Sequence, residues 1–234
     1  MKTAIITGAT KGIGKAIAEK FAAQGFSIAI CARNSQELNL FAEQLQSQYK
    51  VQVLSMAFDV ADKSKLELFA EEIGYRFDRV DVLVNNAGVF KPGQISNEEE
   101  GVFEQLMAVN LAAPYYFTRK LLPVLLKNKH GHIFNICSTA SITAYTNGGS
   151  YCISKFGLYG MTKVLREELK EKHVKVTAVL PGATLTSSWD GVDLPPERFV
   201  PPTDIADAIW SAYNTSPSTV IEELLIRPQL GDIG

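Results

Sequence analysis

Short apolar runs alternate with amphipathic stretches along the chain. Runs rich in aliphatic residues predict seven strands, at 3–7, 27–32, 51–57, 80–85, 132–137, 175–180 and 222–226. Between them, apolar residues recur with helical spacing and predict helices near 12–24, 35–48, 63–76, 99–128, 151–172 and 203–214. Strands that alternate with helices indicate an α/β fold, here a doubly wound parallel sheet of seven strands in a three-layer α/β/α arrangement. The alternation runs throughout, so we expect a single domain over residues 1–234.

A glycine-rich turn joins the first strand to the first helix. Its glycines are Gly8, Gly12 and Gly14, spaced Gly-x-x-x-Gly-x-Gly rather than the more common Gly-x-Gly-x-x-Gly. Glycines let the backbone approach a phosphate closely, and the N-terminus of the helix supplies free N–H groups and positive dipole. The turn therefore predicts a pyrophosphate site that includes Gly8, Gly12, Ile13 and Gly14.

Small or polar residues also follow three later strands. Asn85-Asn86-Ala87-Gly88 closes the fourth strand, Cys137 and Ser138 close the fifth, and Pro181-Gly182 closes the sixth. Open parallel sheets bind ligands outside the carboxyl ends of their strands, at the point where the strand order reverses. These clusters predict one binding site at that edge of the sheet.

Tyr151 and Lys155 stand four residues apart in a predicted helix, so they share one face of it. An ammonium beside a phenol favours the phenolate and is expected to bring the Tyr pKa below its usual ~10. The pair therefore predicts that Tyr151 acts as an acid or base near neutral pH.

Taken together, these motifs resemble those of the short-chain dehydrogenase/reductase family over nearly the whole chain. The resemblance rests on Thr7-Gly8-x-x-x-Gly12-x-Gly14, Asn85-Asn86-Ala87-Gly88, Ser138, Tyr151-x-x-x-Lys155 and Pro181-Gly182. Asn110, in Met107-Ala-Val-Asn-Leu111, matches the fourth catalytic residue of the family. Within the family the chain is most similar to bacterial sepiapterin-reductase-like members, through Pro181-Gly-Ala-Thr-Leu-Thr-Ser-Ser-Trp189 and the tail that ends in Gly231-Asp232-Ile233. The resemblance implies a Rossmann fold and the catalytic residues Asn110, Ser138, Tyr151 and Lys155.

The end of the second strand predicts which dinucleotide is bound. Ala32 occupies the position where an NAD enzyme of this type carries an acidic residue for the ribose 2′-hydroxyl. Arg33 follows it and can bind a 2′-phosphate bidentately, and Lys11 adds a second cation. We therefore expect NADPH rather than NADH.

The resemblance extends the cofactor site along the strand ends. The further contacts that it implies are Asn34, Asp59, Val60, Asn86, Ala87, Gly88, Tyr151, Lys155, Pro181, Gly182, Thr184 and Thr186. For Asp59, the alternative is a structural role in capping the next helix.

The same resemblance implies a division of roles in catalysis. Ser138 hydrogen-bonds the substrate carbonyl, and Tyr151 protonates it as hydride arrives from the cofactor. Lys155 holds the nicotinamide ribose, and Asn110 anchors a water that relays protons. The expected function is that of an NADPH-dependent carbonyl reductase.

The substrate is less closely defined. We expect the segment 186–202 to fold over a pocket formed by Ser138, Tyr151, Tyr145 and Trp189, with acidic Asp190 and Asp193 in the lid. A pterin side-chain ketone, a small carbonyl and an acyl thioester all remain open.

Two alternative functions stay under consideration. The 3-oxoacyl-acyl-carrier-protein reductases share the motifs, and Lys127, Lys129 and Lys172 match positions at which they dock an acidic carrier protein. Cations are also favourable at helix C-termini on electrostatic grounds alone. A nucleotide sensor or scaffold on the same fold is the alternative of another class.

Composition limits the remaining possibilities. The net charge of −2 gives no reason to expect nucleic acid or an anionic membrane as a partner. No signal peptide or bilayer-spanning run is recognised, so we expect a cytoplasmic protein. Cys31, Cys137 and Cys152 fit no metal or disulfide pattern and are expected to be free thiols.

The family pairs the helices 99–128 and 151–172 across a two-fold axis, and the apolar residues Tyr115, Tyr116, Phe117, Leu158 and Met161 predict a homodimer or homotetramer.

Overall fold

A computed structural model describes residues 1–128, 130–189 and 191–232. The strands are β1 Thr3–Thr7, β2 Ser27–Ala32, β3 Val53–Ala57, β4 Val82–Asn85, β5 His132–Ile136, β6 Lys175–Pro181 and β7 Glu223–Ile226. The helices are α1 Gly12–Ala23, α2 Ser35–Tyr49, α3 Lys63–Arg76, α4 Val102–Met107, α5 Ala113–Leu125, α6 Gly149–Leu169 and α7 Pro202–Tyr213. Lys129, Asp190 and Ile233, which entered the predictions above, lie outside the described residues.

The seven strands form one sheet in the order β3-β2-β1-β4-β5-β6-β7. Every neighbouring pair is parallel. The chain winds outward from β1 to β3, then returns to the other side of β1 at β4. The predicted doubly wound seven-stranded sheet is therefore confirmed, and its strand order reverses between β1 and β4.

Both faces of the sheet are covered, which explains why the strands are continuous apolar runs. Along β1, Ala4 and Ile6 pack into one core with α1, α2 and α7. Ile5, between them, points to the opposite face and packs with α3, α5 and α6. Alternate side chains thus serve two cores, and the molecule has the three predicted layers. Within the described residues, no helix combines the length and apolar character that a membrane span needs.

The prediction of one unbroken helix over 99–128 was wrong. The helix begins only after Gly101, whose φ of +85° lies in the left-handed region. A π-helical turn, Ala108–Ala112, then separates α4 from α5. Such a turn adds a residue to the helical ladder and is frequent at functional sites. Asn110 lies in this turn.

Candidate active site

A cleft of about 960 Å³ opens along the carboxyl ends of the strands. Its walls come from the segments that follow β1, β2, β3, β4, β5 and β6, together with the first turns of α6. That position is the one expected for ligands of a doubly wound sheet. The volume is within the range of sites that bury a cofactor or a small molecule.

The glycine-rich turn forms the floor of the cleft. Gly8 and Gly12 have φ values of +67° and +52°, a region that side chains disfavour. A Cβ on Gly12 would lie only 2.8 Å from the Thr186 side chain across the cleft. Lys11, which precedes α1, makes no capping hydrogen bond with its side chain. The N–H groups of the first helical turn are therefore available to an anion.

Gly14 has a different place from the other two glycines, because it packs behind the turn and does not line the cleft. A Cβ there would lie 2.3 Å from the Gly8 carbonyl oxygen and 2.4 Å from Asn86 Nδ2. The Asn86 amide donates hydrogen bonds to the carbonyls of Thr7 (2.8 Å) and Gly8 (2.9 Å). The Thr7 hydroxyl in turn accepts from the backbone N–H groups of Asn86 and Ala87, at 3.0 Å each. Gly14 thus makes room for the contacts that join the ends of β1 and β4.

One end of the cleft carries the predicted cations. Ala32 and Arg33 line it at the end of β2, and no acidic side chain follows that strand directly. Lys11 also lines it, and its ammonium forms an exposed ion pair with Glu37 of α2 at 3.1 Å. Asn34 does not line the cleft. Its side chain caps α2 by accepting from the N–H groups of Gln36 and Glu37.

Asp59 and Val60 line the same end, as predicted. The Asp59 carboxylate accepts a hydrogen bond from the Ala61 N–H at 2.9 Å, which forms a local turn after β3. The helix α3 is capped by Asp62 instead. Asp59 is therefore a turn residue whose carboxylate is exposed in the cleft, not the cap of the next helix.

Ser138, Tyr151 and Lys155 meet at the other end of the cleft. Ser138 lies just beyond β5, where its hydroxyl accepts from the Ala140 N–H at 3.1 Å and fixes a short helical turn. The Ser138 side chain acts to lower the pKa of Tyr151, so the two hydroxyls are neighbours. Lys155, one turn further along α6, is buried and donates to the Ile136 carbonyl at 2.9 Å. The sequence spacing therefore brings the three predicted groups together.

The pKa of Tyr151 differs from the prediction. Burial raises it to about 12, and the Ser138 side chain only partly opposes that effect. Burial also lowers the pKa of Lys155 to about 8. The Lys155 ammonium lies 5.8 Å from the centre of the Tyr151 ring. The expectation that Lys155 brings the Tyr151 pKa below its usual value is wrong for this structure, because desolvation destabilises the phenolate and the ammonium alike.

Asn110 lies behind the cleft rather than in its lining. Its amide clamps the backbone of Val89: the Val89 N–H donates to Oδ1 (2.8 Å) and Nδ2 donates to the Val89 carbonyl (2.9 Å). Nδ2 also donates to the Ser154 hydroxyl of α6 at 3.0 Å. A Cβ on Gly88 would lie 3.4 Å from Asn110 Oδ1 and 3.5 Å from Lys155 Nζ, so these groups are neighbours. The role of Asn110 in a proton relay stays a prediction.

The segment after β6 closes the cleft from above. Pro181, Gly182, Thr184, Thr186 and Trp189 line it, as does Tyr145 from the opposite wall. The segment is tied back by hydrogen bonds between Leu185 and Val200 (2.9 Å) and between Val200 and Ala183 (2.8 Å). The Trp189 ring packs against Phe199 at 5.3 Å between centroids. Trp189 therefore both supports the lid and faces the cleft.

Two acidic residues near the site were missed by the sequence analysis. Asp232 lines the cleft because the tail after β7 folds back over Gly182, and it pairs with Arg227 at 3.3 Å. Glu98 binds the start of α6, although fifty-two positions separate it from Ser150. The tail motif was a signal for Asp232, whereas no local pattern indicates Glu98.

The thiols beside the site are packed into the protein. Cys31, Cys137 and Cys152 are free and buried. Burial raises the pKa of Cys31 to about 12 and that of Cys137 to about 11. Both thiols are thus held in their unreactive protonated form.

Comparisons with known proteins agree with this geometry. Residues 2–194 match the family model described as short chain dehydrogenase. A sepiapterin reductase of Chlorobaculum tepidum is 33% identical over 237 residues, which cover 98% of this chain and 97% of that protein.

Among solved structures, an alcohol dehydrogenase from the archaeon Thermococcus sibiricus, complexed with 5-hydroxy-NADP, is similar over 100% of both chains. It has a TM-score of 0.91 and 27% identity. A metagenomic short-chain oxidoreductase in complex with NADP has a TM-score of 0.85 and 32% identity over 97% of each chain. With the fold, the motifs and the family model in agreement, the chain belongs to the short-chain dehydrogenase family.

Proposed function

We propose that this protein is an NADPH-dependent carbonyl reductase that converts a ketone to a secondary alcohol. The observation that carries the proposal is that one cleft joins a phosphate-binding turn and Arg33 at one end to Tyr151, Ser138 and Lys155 at the other. The similar proteins support it, because one is named as a sepiapterin reductase and two were solved with NADP or a derivative of it.

The lining of the cleft fits the dinucleotide along its length. The first-turn N–H groups at Gly12 and Ile13 would hold the pyrophosphate, and Arg33 with Lys11 would hold the 2′-phosphate. Asp59 and Val60 lie where the adenine would bind, and the backbone of Asn86, Ala87 and Gly88 allows close approach of the ribose. Pro181, Gly182, Thr184 and Thr186 would line the nicotinamide end.

NADPH, when bound, supplies the hydride that reduces the carbonyl carbon. Ser138 orients the carbonyl oxygen through its hydroxyl, and Tyr151 transfers its phenolic proton to that oxygen as charge develops. A pKa of about 12 keeps Tyr151 protonated at neutral pH, which suits a proton donor. The buried Lys155 ammonium lies where it would bind the nicotinamide ribose and stabilise the phenolate that remains.

The substrate end of the cleft favours an uncharged carbonyl compound. Apart from the Lys155 ammonium, which the nicotinamide ribose would engage, its described lining consists of apolar and neutral polar side chains around Tyr151, among them Val89, Phe90, Gln105, Thr139, Ala140, Thr143, Tyr145, Thr146, Asn147 and Trp189. Asp232 adds a carboxylate at the Gly182 side; Arg227 balances its charge, and its oxygens can still accept N–H bonds from an amino-substituted ring. These features support a sepiapterin-like or small neutral ketone over a keto acid.

Reduction of a 3-oxoacyl thioester is the second candidate. Lys127 and Lys172 are exposed, as docking of an acidic carrier protein would require. Because the 3-oxo group that would be reduced and the thioester beside it are both uncharged, the cleft does not discriminate against this substrate, and substrate assays distinguish the two candidates.

Oxidation of NADPH, followed by absorbance, tests the proposal directly. The panel contains sepiapterin, a diketone, acetoacetyl thioester on a carrier protein, and ethyl pyruvate paired with pyruvate as neutral and anionic versions of one ketone. We expect turnover of at least one neutral ketone and a lower kcat/KM for pyruvate than for its ester. Tight NADPH binding without turnover of any member would contradict the proposal and favour a nucleotide sensor.

A further inference from the structure

The Glu98 carboxylate binds the first turn of α6, the helix that carries Tyr151. One carboxylate oxygen accepts a hydrogen bond from the Ser150 N–H at 2.8 Å, and the other accepts from the Ser150 hydroxyl. Ser150 is buried and directly precedes Tyr151. Gly148, the residue that precedes α6, has no side chain and makes no capping bond. A distant carboxylate therefore satisfies an N–H group that a local cap residue usually satisfies.

The contact is tightly enclosed. A Cβ on Gly149 would lie 2.1 Å from a carboxylate oxygen of Glu98, and one on Gly93 would lie 2.8 Å from its Cγ. The Gly93 N–H also donates to the Asn147 carbonyl at 3.0 Å. The loop that follows β4 is thus docked onto the segment that enters α6, and Glu98 closes the junction.

The same loop reaches Tyr151 at a second point. Phe90 packs its ring edge-on against the Tyr151 ring, with 4.8 Å between centroids. Just before Phe90, the backbone of Val89 is held by Asn110. The loop is therefore fixed at Val89 and at Glu98, and between these points it contacts the side chain that would donate the proton.

We propose that Glu98 is a positioning residue for the reaction: its hydrogen bonds with Ser150 fix the position of the Tyr151 hydroxyl relative to Ser138. This inference rests on the proposed function. A misplacement of a catalytic group by about 1 Å can cost on the order of a hundredfold in rate. Loss of the hydrogen bonds between Glu98 and Ser150 should accordingly lower kcat while leaving the distant phosphate-binding turn undisturbed.

The test compares Glu98→Ala with Glu98→Gln and with the matched control Glu100→Ala, an exposed neighbour. We expect Glu98→Ala to lower kcat by about tenfold to a hundredfold, with the KM for NADPH changed by less than about twofold. Glu98→Gln can still accept from the Ser150 N–H, so it should retain at least about half of the wild-type kcat. Glu100→Ala should behave as the wild type.

A double variant shows whether Glu98 acts through Ser150. Ser150→Ala alone should lower kcat by a few-fold, but it should have no further effect when added to Glu98→Ala. If Glu98→Ala does not fold, Glu98→Asp makes the same test, because it retains the charge but shortens the reach by one methylene. An unchanged kcat in Glu98→Ala, equal losses in kcat and NADPH affinity, or a Gln variant as impaired as the Ala variant would each overturn the inference.

A measurement without turnover separates this inference from the proposed function. In protein labelled with ¹³Cζ-tyrosine, the Tyr151 signal is assigned by its loss in Tyr151→Phe. Burial should hold the Tyr151 pKa at about 12 in the wild type, whereas a displaced and hydrated phenol in Glu98→Ala should titrate with a pKa closer to the usual ~10. Identical titrations would contradict the positioning role, whether or not a substrate is found.

Discussion

The Nζ atom of Lys155 donates a hydrogen bond to the Ile136 carbonyl over 2.9 Å. This bond joins α6 to the last residue of β5, two positions before Ser138. Lys155 is thus placed by the strand rather than by Tyr151. The helix and the strand end that carry the three site residues are held at a fixed separation.

Substitutions of Tyr151 and Lys155 should have different effects. Tyr151→Phe removes only the phenolic hydroxyl that donates the proton, so kcat should fall by about 10²–10⁴-fold while NADPH affinity stays nearly unchanged. Lys155→Met should lower activity and also weaken NADPH binding, because its ammonium would no longer bond the ribose. Steady-state kinetics and cofactor titration by fluorescence measure both. A Tyr151→Phe enzyme that retains more than about a tenth of kcat would require another proton donor.

Arg33→Ala should weaken binding of NADPH far more than that of NADH. A charged hydrogen bond contributes about 1.5–3 kcal/mol, which corresponds to roughly ten- to a hundredfold in Kd. Lys11→Ala should have a smaller effect, since that ammonium is shared with Glu37. Calorimetric titration with both cofactors checks this, with Arg76→Ala as an exposed control. An equal loss for the two cofactors would show that Arg33 is structural.

His132 should make the protein less stable in acid. The ring is buried, its Nε2 contacts the Thr177 hydroxyl at 2.8 Å, and burial holds its pKa well below 6.5. As the pH falls below about 6.5, the unfolded chain binds a proton that the folded chain excludes. The free energy of unfolding should therefore fall by up to about 1.4 kcal/mol per pH unit.

Denaturant unfolding of the wild type and of His132→Gln between pH 4.5 and 7.5 measures this contribution. The Gln amide can still donate to Thr177 but does not titrate, so the pH dependence should be shallower in the variant. His130→Gln, at an exposed position, is the control for the substitution itself. Parallel slopes for all three proteins would contradict the assignment.

Alanine at two glycines should shift stability in opposite directions. Gly14→Ala places a Cβ within 2.4 Å of the Gly8 carbonyl and the Asn86 amide, so the free energy of unfolding should fall by about 1–3 kcal/mol. Gly74, in α3, meets only Val124 Cγ2 at 3.7 Å from the corresponding position, an ordinary van der Waals distance. Gly74→Ala should raise the free energy of unfolding by about 0.5–1 kcal/mol through helix propensity. Denaturant unfolding of both variants measures these changes in the free energy of unfolding. A Gly14→Ala variant that is more stable than the wild type would contradict the prediction.

The helices α4, α5 and α6 should associate with a second copy of the chain. They expose Phe103, Tyr115, Ile153, Phe156 and Val164 by 41–56%. Phe117 and Leu158, expected at this surface, are instead buried in the core. Light scattering at micromolar concentration should show a dimer or tetramer, and Phe156→Glu should dissociate it. Tyr75→Glu, on the exposed side of α3, is the control; a monomeric wild type would contradict the prediction.

The sequence by itself determined the order of the strands and helices and the residues at their ends. The periodicity of apolar residues and the positions of glycines depend on residues only a few positions apart, so both can be recognised in the sequence alone. The turn from Gly8 to Gly14, the end of β4 and the pair Tyr151–Lys155 were located in this way. Parallel strands then bring their carboxyl ends to one edge, and the motifs had to meet there.

Tertiary packing decided what depends on contacts between distant segments. Whether Tyr151 is more or less acidic than a free phenol follows from how completely the surrounding segments exclude water, which no spacing records. Four features of the site join separate elements of the fold. They are the position of Asp232 in the cleft, the ion pair of Lys11 with Glu37, the hydrogen bonds of Asn110 to Val89 and those of Glu98 to Ser150. Burial and long-range hydrogen bonds are properties of the folded arrangement, so they emerge only once every layer is in place.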